Sequence, residues 1–258
     1  MIKSLRLSRL SSGTEASSLK DQWCSASSTG PGSGAASLRT NIVSSAAVSR
    51  RSPIVTPVYQ PAYSAEDALS RLKEGNARFI SGRARFPTVQ KEVLADLAKG
   101  QRPYVTILGC SDSRVPPELV FDAGLGELFV IRVAGNVLGP SIVGTLQYAG
   151  THLHTPLFVV LGHEGCGAVA AAISERFEGT RHRSRIALLL KSIAPALDNL
   201  DRNLPPPALL SAAVEANVRR TVQELLATPE GKARTRQGDL RLVGAVYDIA
   251  TGRVRFLK

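Results

Sequence analysis

The sequence predicts an α/β fold: a mainly parallel central sheet flanked by helices, with an N-terminal helical arm and a C-terminal antiparallel edge hairpin. Three observations predict it. Short, β-branched apolar runs recur at 104–108, 127–133 and 157–161, spaced widely enough for crossover helices, and strands that alternate with helices pair in parallel. Two of these runs end in Gly and a polar cluster, Gly109-Cys110-Ser111-Asp112-Ser113-Arg114 and Gly162-His163-Glu164-Gly165-Cys166-Gly167. A parallel sheet delivers its functional side chains at that carboxyl edge. Last, 239–249 and 252–257 flank Ala250-Thr251-Gly252, which reads as a hairpin.

Taken in order, residues 1–60 are rich in Ser, Gly and Ala, poor in acids and dotted with Arg. Such a composition buries too little apolar surface to offset chain entropy, so a disordered extension is expected. It reads equally as an ordinary extension of a soluble cytoplasmic protein or as a mitochondrial or plastid transit peptide. Cys24 and Trp23 lie in it and are given no chemical role. Order is expected from Ser64, where Ser64-Ala65-Glu66-Asp67 resembles a capping box and opens a helix to about residue 80. Its apolar stripe (Ala68, Leu69, Leu72, Phe79) is thin, and Gly75 and Asn76 interrupt it. A second helix over 89–99 completes an arm over 64–100. Pro116-Pro117 stops the first strand, leaving at most a helical turn over 118–121. Helices follow over 141–154, with Ile142, Leu146 and Ala149 inward, and over 164–173, rich in small residues. Amphipathic helices over 185–200 and 209–226 are separated by Pro205-Pro206-Pro207. No internal repeat is present. The expected organisation is one domain, 64–258, behind the extension.

Composition narrows the function. The formal charge is +11, of which the acid-poor first 63 residues carry nearly half. A basic surplus is compatible with nucleic acid, yet no helix-turn-helix, zinc-finger spacing or aromatic–basic platform accompanies it, so no nucleic-acid partner is expected. No apolar run approaches membrane length, so no membrane partner is expected either. Three Cys make no disulfide framework, and metal-binding thiolates suit a reducing compartment.

Two thiolates, an imidazole and a carboxylate can converge at the sheet edge, and that is a Zn2+ ligand set. A lone buried Cys is ordinarily inert. Here, however, Cys110 and Cys166 stand at equivalent strand ends, and His163-x-x-Cys166 at a helix start puts both side chains on one face. Cys110, His163 and Cys166 are therefore the candidate ligands. Asp112 is open to two readings: a fourth ligand that closes the site, or the partner of Arg114 in a bidentate pair that leaves the fourth position open.

Cys-x-Asp-x-Arg, followed some fifty residues later by His-x-x-Cys-Gly, resembles the β-class carbonic anhydrases. The similarity runs from about Ala65 to the C-terminus. It implies a zinc lyase that reversibly hydrates carbon dioxide to bicarbonate and a proton by attack of zinc-bound hydroxide. In that family both arrangements of the Asp are known. The resemblance further implies catalytic roles for Asp112, Arg114 and Gln101, the last as a substrate hydrogen-bond donor, and a backbone N–H donor at Gly167. It matches Val115, Phe129, Ala134 and Tyr148 to an apolar cleft lined partly by a neighbouring subunit. It also implies a homodimer or homotetramer in which the first helix packs onto the partner. Two departures stand out. Val133 replaces the family's frequent Asn after Arg132. Ile107 stands where members with an inhibitory bicarbonate pocket carry Trp, which favours the open site. The rival readings are a carbonyl sulfide or carbon disulfide hydrolase on the same scaffold, a non-catalytic structural zinc protein, and a redox pair of Cys110 and Cys166, which leaves His163 and Asp112 unexplained.

Overall fold

The computed structural model describes residues 63–85, 91–238 and 240–258; the expected extension over 1–60, with Trp23 and Cys24, lies outside them. Five strands form one sheet in the order β2-β1-β3-β4-β5: β1 (Val105–Gly109), β2 (Leu128–Arg132), β3 (Leu157–His163), β4 (Arg241–Tyr247) and β5 (Val254–Phe256). The first four are parallel, and β5 turns back antiparallel on β4, as the sequence predicts.

Side chains alternate across a strand, and the two core layers follow that alternation. Val105, Ile107, Leu157, Val159, Leu161, Val243 and Ala245 pack on one face, under Ala68, Leu69 and Leu72 of α1 (Ala65–Ile80) and Val120 of α3 (Pro117–Val120). Leu108, Phe158, Val160 and Val246 pack on the other. That face is covered by α4 (Pro140–Thr151), α5 (Gly167–Phe177), α6 (Ser184–Ile193) and α7 (Pro206–Ala227). The short α2 (Lys91–Leu97) completes the arm.

The capping box of α1 is present. Ser64 Oγ accepts from the Asp67 backbone N–H at 3.1 Å, and the Asp67 carboxylate accepts from the Ser64 backbone N–H at 3.3 Å. Gly75 and Asn76, expected as interruptions, are instead its docking points. Helix geometry continues through them and both are buried. A Cβ at Gly75 would stand 1.9 Å from the Phe121 carbonyl oxygen, so only Gly permits this approach. Asn76 Nδ2 donates to the carbonyls of Val120 (3.1 Å) and Gly252 (2.8 Å), and its Oδ1 accepts from the Val254 N–H (2.9 Å). The packing that so thin a stripe requires is thus found within the chain itself.

Other differences lie at element ends. The helix expected from 164 begins at Gly167, because Gly165 takes a left-handed turn (φ 67°). Pro206 and Pro207 do not separate helices; they open α7, where a missing N–H costs nothing. The helix expected over 185–200 tightens into a 3-10 turn at Ala194–Leu197. A polar helix, α8 (Pro229–Gln237), was not anticipated, since it has almost no apolar face. Its cap does the starting: Thr228 Oγ1 accepts from the Gly231 N–H at 3.0 Å.

Candidate metal centre

Strands β1 and β3 are neighbours and end together, with Gly109 opposite Leu161. Cys110 leaves the first strand and His163 closes the second. The turn at Gly165 then brings Cys166 back as the residue that caps α5. The ligand atoms of Cys110, His163 and Cys166 lie within 4.8 Å of one another, and all three residues are buried. The two Sγ atoms are 4.0 Å apart. Tetrahedral zinc with Zn–S bonds of about 2.3 Å spaces two sulfurs by about 3.8 Å, so the pair has the right separation.

The imidazole is oriented for the same task. His163 Nδ1 lies 3.0 Å from the Glu164 carbonyl oxygen, which makes Nδ1 a donor and leaves Nε2 as the ring nitrogen available to a metal. That Nε2 is buried and has no hydrogen-bond partner. A fully buried ring nitrogen without a hydrogen bond is costly, and a metal ion would satisfy it.

Electrostatics agree. A hydrogen bond from Cys166, working against burial, holds the Cys110 thiol well below the usual thiol range, and the same contact together with burial pushes Cys166 up. Burial disfavours charge on His163, but the Cys110 sulfur outweighs it and raises the imidazole pKa. A depressed thiol next to a second buried thiol is the kind of donor set that would bind a divalent cation by releasing a proton.

Asp112 stands beside this cluster, its Oδ2 3.9 Å from His163 Nε2, and is clamped by Arg114. The guanidinium donates to Oδ1 at 2.9 Å and Oδ2 at 2.7 Å. This fork, opposed by burial, holds the carboxyl far below its ordinary range. Asp112 is thus paired with Arg114 at both carboxylate oxygens.

The remaining expected residues divide. Gly167 is exposed at the first position of α5, beside Cys166, with open space before it. Ala134 sits half-buried in the 3-10 turn Ala134–Asn136 after β2. Phe129 and Tyr148 face each other at 6.3 Å between ring centroids, and Tyr148 is 47% exposed. Val115 is buried in the core layer beneath α1. Gln101 is not brought to the cluster. It is exposed on the loop before β1, in a cavity of about 490 Å³ with Tyr63, Arg71 and Glu127, while Cys110 follows the far end of the same strand, a span of roughly 16 Å.

Two residues with no expected role turn out to build the centre. Arg132 donates to the carbonyls of Cys110 (2.9 Å) and Asp112 (2.5 Å), pinning the loop between them. Gly135 donates its backbone N–H to Cys110 Sγ at 3.3 Å. The Arg was reachable from sheet register, since Arg132 lies opposite Gly109; the Gly contact depends on a turn that the sequence does not announce.

Comparison with known proteins points one way. The family described as carbonic anhydrase matches residues 105–254. Carbonic anhydrase 2 of Mycobacterium tuberculosis is 38% identical over 192 residues, covering 72% of this chain and 89% of that protein. The β-carbonic anhydrase of Coccomyxa, solved with acetazolamide, superposes with a TM-score of 0.60 at 28% identity, over 73% of this chain and 86% of its own. A tetrameric β-carbonic anhydrase from Sordaria macrospora gives 0.61 at 25% identity, over 71% and 93%. With the Cys-x-Asp-x-Arg and His-x-x-Cys pairs placed at one sheet edge, the chain belongs to the β-carbonic anhydrases.

Proposed function

We propose that this chain hydrates carbon dioxide reversibly to bicarbonate and a proton, using a zinc ion held by Cys110, His163 and Cys166. The observation that carries the reading is the buried, unpartnered His163 Nε2 beside two sulfurs 4.0 Å apart, with the one nearby carboxylate tied up by Arg114. Zinc in such a site supplies the Lewis acidity that makes water nucleophilic near neutral pH, carbonic anhydrase being the standard instance. The chain's own residues do the rest. Asp112, ionised, accepts a hydrogen bond from the attacking water and orients it. Arg114 keeps that carboxylate charged and out of the metal's coordination. The Gly167 N–H, at the positive end of α5, favours a product that carries negative charge. Phe129 and Tyr148 supply an apolar approach for a nonpolar gas.

Gln101 completes this site only if it comes from another copy of the chain, and we place it there: the active form is a homodimer or a homotetramer, with Gln101 contributed by the partner. Catalysis resides in residues 64–258, with 1–60 an extension outside it. Among the described residues no helix is long and apolar enough to cross a membrane.

A structural zinc protein would hold Asp112 as a permanent ligand, and the Arg114 fork argues against that. Stopped-flow hydration with a pH indicator, run beside a carbonyl sulfide assay on zinc-loaded protein, tests the reading. Rapid turnover of carbon dioxide and little of the sulfide is expected. Zinc-loaded protein inert toward carbon dioxide from pH 7 to 9 would overturn it.

A further inference from the structure

Cys110 Sγ accepts a hydrogen bond from a residue that is itself held in place from behind. Gly135 has φ 67°, a conformation that side chains disfavour. It is also packed: a Cβ there would stand 2.8 Å from Ile193 Cδ1 and 3.2 Å from Ala168 Cβ. What holds this turn is a side chain from α7. Asn217, 2% exposed, donates through Nδ2 to the Gly135 carbonyl oxygen at 2.8 Å. On its far side the Gly135 N–H reaches the sulfur at 3.3 Å.

We infer that Asn217 is a positioning residue for the metal centre, fixing the Gly135 N–H on the Cys110 sulfur and so tuning how firmly that thiolate holds a metal. Two physical points support it. A buried primary amide carries a desolvation cost unless it is bonded, and on the buried face of α7 the Nδ2 of Asn217 makes its bond to the Gly135 carbonyl. In addition, an N–H donated to a metal thiolate delocalises its charge and fixes its direction, and residues of this kind change metal affinity by about 10- to 100-fold when removed. The Asn217 link spans 82 residues of sequence, which makes it independent of the local turn.

The inference rests on the reading of Cys110 as a zinc ligand, and the test separates the two. The purified parent chain is first analysed for metal; a parent that binds no zinc refutes the ligand reading itself. Zinc release to excess chelator is then timed for the parent and for Asn217→Leu, which keeps the volume and removes the donor. Asn217→Ala serves should the Leu variant not fold. The control is Thr221→Val, one turn along the same helix, which removes a buried hydroxyl bonded to the Asn217 carbonyl at 2.9 Å without touching Gly135. We expect both Asn217 variants to release zinc about tenfold faster or more, and their cobalt-substituted forms to show a shifted thiolate-to-metal charge-transfer band. Thr221→Val should match the parent in both readouts even at equal loss of melting temperature. Parent-like release from the Asn217 variants, or equally fast release from Thr221→Val, would overturn the inference.

Discussion

Arg114 grips Asp112 at three points: the two guanidinium bonds at 2.9 and 2.7 Å, and its own backbone N–H on Oδ1 at 3.0 Å. The pair is self-contained within three residues, so it forms as soon as the loop after β1 forms. Its consequence is a carboxylate that stays charged and is held by Arg114 beside the cluster. Arg114→Ala should lower kcat/KM for carbon dioxide by about 100-fold, the scale seen when one preorganised polar group is lost, with zinc content unchanged. Full activity with bound zinc would remove Arg114 from the mechanism.

The same pair has a pH signature. The depressed carboxyl is ionised at every pH above its ordinary value near 4, so its contribution to stability is complete there and is lost only as pH falls through the folded value. Asp112 should therefore add no inflection to the rate between pH 6 and 9. In Arg114→Ala the carboxyl returns toward its ordinary range, and acid inactivation should begin at higher pH than in the parent. Identical acid limbs for the two proteins, traced by activity after brief acid exposure, would contradict this.

Asn76 makes three buried or part-buried bonds to two separate segments. Replacing it with Ala leaves those backbone groups unpaired at a cost of about 1–3 kcal/mol each at most, and a loss of about 3 kcal/mol of unfolding free energy is expected from denaturant titration. Deleting 64–85 should unfold the domain and not merely split an oligomer, because it uncovers the core layer under α1. By contrast, deleting 1–60 should leave the melting temperature within about 2 °C. Thermal melts of the three variants decide the matter.

Shared assembly of the site can be tested by complementation. Gln101→Leu and Cys110→Ser should each be nearly inactive alone. A refolded mixture should regain activity, because a hybrid dimer contains one site with an intact ligand set and a partner's Gln101. An inactive mixture containing demonstrable hybrids would place each whole site within a single chain.

The strands and the Cys110–His163–Cys166 cluster were legible because each has a sequence signature. β-branched runs ending in Gly mark strands. His163-x-x-Cys166 reads as two residues on one helix face, whereas His163 closes β3 and the left-handed turn at Gly165 brings Cys166 back to it ahead of the helix. What was hidden depends on long-range contact. Gly75 and Asn76 look like helix breakers by propensity, yet they are the residues that fit closest against Phe121 and β5. Val115 reads as apolar lining or core alike, and only its layer separates the two. α8 carries no apolar period, so nothing but its Thr228 cap could have announced it.

The Asn76 bonds to Gly252 and Val254 join residues 176 and 178 apart, and that sets a timetable for the newborn chain. At about 5–20 residues per second, ribosomes finish the last strand some 10–35 s after the first helix has been made. Through that interval α1 has no Gly252 or Val254 to grip, and its Leu69 and Leu72 wait for their full seat. The parallel strands likewise need distant partners before they can pair, the slow class of folding. Residues 252–258 therefore act as a latch on α1, and a chain truncated just before Gly252 is expected to keep Cys110, His163 and Cys166 while losing this hold on its first helix.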